Sequence, residues 1–171
     1  MISPALRVMA ESPLIRPFRP DDAEACSNIV RACLQLETLM APAVIAELLR
    51  TESPEIMRER ARLFYVAVCM LGNDVTAVGG VDMNEIRLLY VDPANQRKGV
   101  GSSVLRHLEA LVPPALFGDI FVYSTPTAVP FYRAHGYEAR GEHGFIAAGY
   151  TVRTVFMTKR RSNDESQRTG S

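Results

Sequence analysis

Hydrophobic positions in this chain fall into groups, and the spacing inside each group changes from segment to segment. The densest group, Glu85-Ile86-Arg87-Leu88-Leu89-Tyr90-Val91, is almost continuously apolar and rich in branched and aromatic residues. That is the pattern of a strand buried in the middle of a sheet. Asp92-Pro93 ends it, because proline brings no N–H to a ladder and favours a turn. From Val100 the spacing becomes helical, with Val104, Leu105, Leu108, Leu111 and Val112 on one stripe, and Pro113-Pro114 stops the helix. The unit is a strand, a glycine-containing bend and a helix.

The other groups predict elements on either side of this unit. Leu14 to Arg19 alternates as a first strand at a sheet edge, where Pro17 is tolerated. Asp21 and Glu24 form a helix-start signal, followed by the stripe Cys26, Ile29, Val30, Cys33, Leu34 and Leu36. Pro42 to Arg50 predicts a second helix, and Ser53-Pro54 opens a third with Ser53 as its cap. Arg62 to Leu71 and Val75 to Met83 read as a hairpin around Gly72-Asn73-Asp74. Gly79-Gly80 inside it implies a bulge or a close approach by another element. Downstream, Asp119 to Tyr123 is a strand, and strand–helix–strand order implies parallel pairing with the central one. Thr127 to His135 is a short helix closed by Gly136. Tyr137 to Arg140 and Thr151 to Lys159 are closing strands, with Gly141 to Gly149 expected as the connection between them. The fold class is α/β (α+β), a single mixed sheet flanked by helices.

Length and charge change this picture only a little. At 171 residues the chain is expected to hold one domain, residues 14–159, behind a loose leader (1–13) and ahead of a polar, disordered tail (160–171). Nineteen basic and nineteen acidic residues balance, which gives no electrostatic case for nucleic acid or an anionic membrane as partner. Three cysteines without metal spacing, and no histidine pair with ligand spacing, point to buried thiols and no metal. No apolar run approaches the roughly 18 residues of a membrane span, and no signal-like segment follows Arg7. A reducing cytoplasm is the expected compartment.

Candidate chemistry centres on the bend, Gln96-Arg97-Lys98-Gly99-Val100-Gly101. A helix N-terminus offers unpaired N–H groups and the positive end of its dipole, and glycines let an anion approach the backbone. The bend is not a Walker loop, since Lys98 precedes the glycine, nor a three-glycine dinucleotide fingerprint. It resembles the Q/R-x-x-G-x-G/A loop of the GNAT N-acetyltransferase superfamily, preceded by Leu-Tyr-Val-Asp-Pro as at the end of that family's fourth strand. Two further segments resemble the family: the opening Ile15-Arg16-Pro17-Phe18-Arg19-Pro20-Asp21-Asp22-Ala23, and Ala128-Val129-Pro130-Phe131-Tyr132-Arg133-Ala134-His135-Gly136-Tyr137.

The resemblance spans nearly all of residues 14–159. It implies the GNAT acyl-CoA N-acyltransferase fold, with a mostly antiparallel sheet splayed between central strands. It also implies acetyl-CoA as cosubstrate and a small-molecule or peptide amine as acceptor, and it allows a homodimer. Gln96, Arg97, Lys98, Gly99, Val100, Gly101 and Ser102 would then cradle the pyrophosphate. Leu89, Tyr90 and Val91 would hold the pantetheine arm through main-chain groups. Tyr132 is the candidate acid for the departing thiolate. Glu85, expected on one strand face with Arg87, Leu89 and Val91, is the candidate base, with Asp82 behind it. A non-catalytic acyl-CoA sensor and an adaptor on the same fold are the competing readings.

Overall fold

The computed structural model describes residues 13–147 and 149–161. Of the expected leader and tail, residues 1–12 and 162–171 lie outside that range. The elements are β1 (Leu14–Pro17), α1 (Ala23–Gln35), α2 (Pro42–Thr51), α3 (Pro54–Leu63), β2 (Tyr65–Leu71), β3 (Asp74–Asp82) and β4 (Glu85–Val91). They continue with α4 (Val100–Leu111), β5 (Asp119–Ser124), α5 (Val129–Ala134), β6 (Glu138–Ala147) and β7 (Tyr150–Arg160). Among the described residues the strands form one seven-stranded sheet in the order β1-β2-β3-β4-β5-β7-β6, and only β4 and β5 pair in parallel. The fold is therefore a mixed, mostly antiparallel sheet with helices packed on it, as the pattern and the resemblance together imply.

Two apolar layers lie on opposite faces of the sheet. On one, Cys26 and Val30 of α1 and Met57 of α3 pack against Val66, Val68, Val78 and Leu88. On the other, Val104, Leu105 and Leu108 of α4 pack with Ala77, Ile86, Ile120 and Val122. The paired glycines explain how both layers fit. A methyl on Gly79 would stand 2.6 Å from Val104, and one on Gly80 would stand 2.6 Å from a ring carbon of Phe64. Each glycine thus admits a large side chain on its own face. The bulge also exists, one strand away. Gly80 pairs with Leu88 and Val81 with Ile86, so Arg87 is the extra residue, in β4.

Several boundaries differ from expectation. Residues 141–147 are not a connection but most of β6, because each backbone position finds a partner on β7, from Gly141↔Phe156 to Ala147↔Tyr150. Glycines 141 and 144 are tolerated in this outer strand, where little crowds them. Leu63 closes α3 instead of opening β2, and its side chain is exposed. At the start of α1 the working acid is Asp22, not Asp21. Asp22 is buried, takes two bonds from Arg16 at 2.7 and 2.8 Å, and accepts the Arg19 N–H at 2.7 Å. The Arg16 hydrogen bond, ahead of the cost of burial, holds the Asp22 carboxyl below its ordinary range. Cys26 is buried, whereas Cys33 is only half-buried.

Candidate active site

The bulge at Arg87 shapes the site. β4 and β5 pair at Glu85↔Phe121 and Ile86↔Val122, and pairing stops there although β4 runs on to Val91 and β5 to Ser124. The two strands separate beyond that point into a wedge-shaped gap. Along β4, Asp92 donates its N–H to the Thr76 carbonyl at 2.8 Å, which places Tyr90 and Val78 in a hydrogen-bonded antiparallel pair. Alternation then turns the main-chain groups of Leu89 and Val91 away from β3 and toward the gap. Tyr90 spends its own on β3. The Val91 carbonyl is met by Gln96 Nε2 and by the Cys33 thiol, each at 3.1 Å.

The bulge also changes which residues share a face. Ile86, Leu89 and Val91 lie on the α4 side. Leu88 and Tyr90 lie on the α1/α3 side, where the Arg87 guanidinium sits 5.5 Å above the Phe64 ring. Glu85, next to Ile86 and bonded to Arg87 at 3.0 Å, belongs to that second side. It therefore does not share a face with Leu89 and Val91. The even alternation expected for a regular strand is interrupted by one residue.

At the wide end of the gap the chain turns into α4 through two left-handed residues, Arg97 at φ 60° and Gly99 at φ 81°. Gly99 adopts that conformation without strain, and open space surrounds the position a methyl would take. The first bond of the helix is Ser103 N–H to the Gly99 carbonyl at 3.0 Å. The N–H groups of Val100, Gly101 and Ser102 lie ahead of it. Gly101 is packed: a methyl there would stand 3.4 Å from both Phe131 and Val91. Lys98 bends back to the Ala94 carbonyl at 2.9 Å, so its ammonium braces the turn.

Tyr132 is 5 % exposed, packed edge-on against Phe131 and Tyr137. Burial, with a smaller contribution from nearby Tyr90, raises its pKa, which keeps the phenol protonated at neutral pH. The structure adds a residue that the sequence marks only as part of the segment from Ala128 to Tyr137. His135 places Nδ1 2.8 Å from the Phe131 carbonyl and Nε2 2.8 Å from the Ser102 hydroxyl. A carbonyl only accepts, so Nδ1 carries hydrogen, and a neutral ring then accepts from Ser102 at Nε2. This bridge ties α5, which carries Tyr132, to the first turn of α4. The i+33 separation of the two residues leaves no local signal for it. Among the described residues no group of three or more potential ligands could hold a metal ion, and no helix is long and apolar enough to cross a membrane.

A helix-flanked sheet that opens between two parallel strands, beside a left-handed bend into a helix, is the architecture of the acyl-CoA N-acyltransferase fold. A family model described as the acetyltransferase (GNAT) domain matches residues 40–160, and the chain belongs to that family. A GCN5-related N-acetyltransferase from Rhodopseudomonas palustris superposes with a TM-score of 0.81 at 20% identity, over 88% of this chain and 96% of that one. PaiA N-acetyltransferase from Thermoplasma acidophilum, in complex with coenzyme A, gives 0.68 at 17% identity, over 88% and 99%. YncA from Salmonella typhimurium, with its cofactor acetyl-CoA, gives 0.66 at 18%, over 87% and 94%. No curated protein sequence matches the chain.

Proposed function

We propose that the protein transfers the acetyl group of acetyl-CoA to a primary amine by direct attack. The observation that carries this is the conjunction at the end of β4. Strand pairing is abandoned beside main-chain groups of Leu89 and Val91, and the chain then enters α4 through left-handed Arg97 and Gly99. The N–H groups of Val100 to Ser102 suit a diphosphate, and the gap suits an extended arm that borrows strand hydrogen bonds.

Acetyl-CoA supplies an activated acetyl thioester. In this reading Glu85 accepts the proton lost by the attacking amine, directly or through one water, and its ion pair with Arg87 fixes the carboxylate. Tyr132 donates its phenolic proton to the sulfur as the carbon–sulfur bond breaks. One carbon–nitrogen bond replaces one carbon–sulfur bond, and the products are an amide and a free thiol. Both side chains return to their starting states by exchange with solvent. The Ser102–His135 bridge acts as a positioning element that holds α5 against the loop.

Release of free thiol from acetyl-CoA, followed with a panel of primary amines, tests the activity. Amine-dependent release supports the transferase. Tight acetyl-CoA binding with no acetylated amine from any of the panel would favour the sensor reading instead.

A further inference from the structure

The two halves of the sheet are not equally covered on the α1/α3 side. Ile120 and Val122 of β5 belong to the layer under α4, so Phe121 and Tyr123 project to the opposite face. There they join Phe156 of β7 and His143 of β6. Tyr123 lies 5.9 Å from Phe121, 5.3 Å from Phe156 and 4.6 Å from His143, and Phe121 lies 5.7 Å from Phe156, centroid to centroid. Tyr123 is 40% exposed. The result is a continuous aromatic wall, open to solvent.

Its position is specific. Glu85 is the register partner of Phe121, so it stands on the same face at the foot of the wall, on a strand whose backbone lies about 5 Å away. Tyr123 is the first residue of β5 beyond the last paired position, at the apex of the gap. The far side is bounded by α2, whose Val44 faces Val152 of β7 across a small groove.

Charge narrows the choice of occupant. The acids of β5 to β7 are matched by arginines: Glu138 with Arg140, Glu142 with Arg153 and Asp119 with Arg160. Negative charge gathers instead at the end of β4, where Glu85, paired with Arg87, is the register partner of Asp82. A polycation would find no row of acids along β5 to β7 for its further charges. A single ammonium would find the Glu85–Asp82 corner and several ring faces, which attract cations and stack on flat apolar groups.

We propose that this wall is the acceptor platform and that it takes a primary monoamine carried on an aromatic body. The proposal rests on the acetyltransferase reading above and adds the substrate class. The ring would lie on Tyr123 and Phe156, with the amine directed to Glu85.

The test uses the full chain, thiol release and three amines: 2-phenylethylamine, n-hexylamine and spermidine. The expected kcat/KM for phenylethylamine is at least tenfold above the other two. Tyr123→Ala and the gentler Tyr123→Leu should lower it tenfold or more, leave the KM for acetyl-CoA within about twofold, and erase the preference over hexylamine. Equal kcat/KM for the three amines, or a preference for spermidine, overturns the proposal. So does a dimer in sedimentation that Tyr123→Ala converts to monomer with acceptor kinetics unchanged, since the wall would then be an interface between copies. Calorimetry with acetyl-CoA separates the two levels of failure: absent binding defeats the acetyltransferase reading itself, whereas binding without aromatic preference defeats only the platform.

Discussion

The strands β1 to β4 and the strands β5 to β6 belong to one sheet but are built differently. The first half is enclosed on both faces, by α1 and α3 on one side and α4 on the other, with glycines 79 and 80 letting the layers close down. The second half is covered more sparsely: Val152 and Thr154 are buried on the side that α2 bounds, but Tyr123, Phe145 and Tyr150 on that side are open to solvent, and so is Ile146 on the α4 side. The gap opens where the two meet. One half gives the site a rigid edge against which a cosubstrate can be held in register. The other can vary its side chains at little cost to the fold, which suits the recognition of an acceptor.

If this division is right, substitutions should sort by half. The largest effect belongs to the enclosed half. Asp22→Asn removes a buried, doubly bonded partner of Arg16 and should cost about 3 kcal/mol, or roughly 10 °C in melting temperature. The pH dependence carries the sign. The folded Asp22 carboxyl titrates below its ordinary value of 3.8, so its contribution is complete above that value and is lost as pH falls through the folded one. Denaturant melts from pH 6 to 3 should show a shallower acid slope in Asp22→Asn than in the parent.

At the gap the signature reverses, with function lost and stability kept. Tyr132→Phe should lower kcat about 100-fold while acetyl-CoA affinity and melting temperature stay near their starting values. Unchanged kcat would remove Tyr132 from proton donation. Gly99→Ala puts a side chain at φ 81°; the free turn should relax away from that conformation, and re-forming it on binding, at about 1–2 kcal/mol, should appear as a roughly tenfold weaker Kd for acetyl-CoA by calorimetry. The smallest effect belongs to the open half. Ile146→Ser, at a 69% exposed position, should change stability by no more than about 0.5 kcal/mol in urea melts. A larger loss would mean that the outer strand β6 is covered in solution, and the contrast between halves would weaken.

How much of this was legible before the structure follows the same division. The strand–bend–helix unit was readable because each part has its own local signal: a branched apolar run, Asp92-Pro93, two glycines and a helical stripe. The bulge was not. Arg87 looks like any polar position in an alternating run, and it becomes the extra residue only through its pairing with β3. The misplaced face of Glu85 follows directly from that. Gly141 and Gly144 suggested a loop by composition, yet pairing with β7 decides the matter against local propensity. Asp21 and Asp22 are indistinguishable as neighbours, and Arg16 selects between them only once β1 lies beside α1. The bridge from His135 to Ser102, and the assembly of Phe121, Tyr123, His143 and Phe156 into one wall, join residues far apart in the chain by tertiary packing alone.

The central claim is that the turn between β4 and α4 grips a diphosphate through main-chain amides while the arm behind it lies along β4. Amide chemical-shift mapping by NMR during titration with coenzyme A addresses each part separately. The account predicts that the largest shifts fall on Arg97 to Ser102 and on Leu89 and Val91, with inorganic pyrophosphate moving only the first group. Saturable shifts confined to other segments, or no response at Gly99 and Gly101, would contradict it.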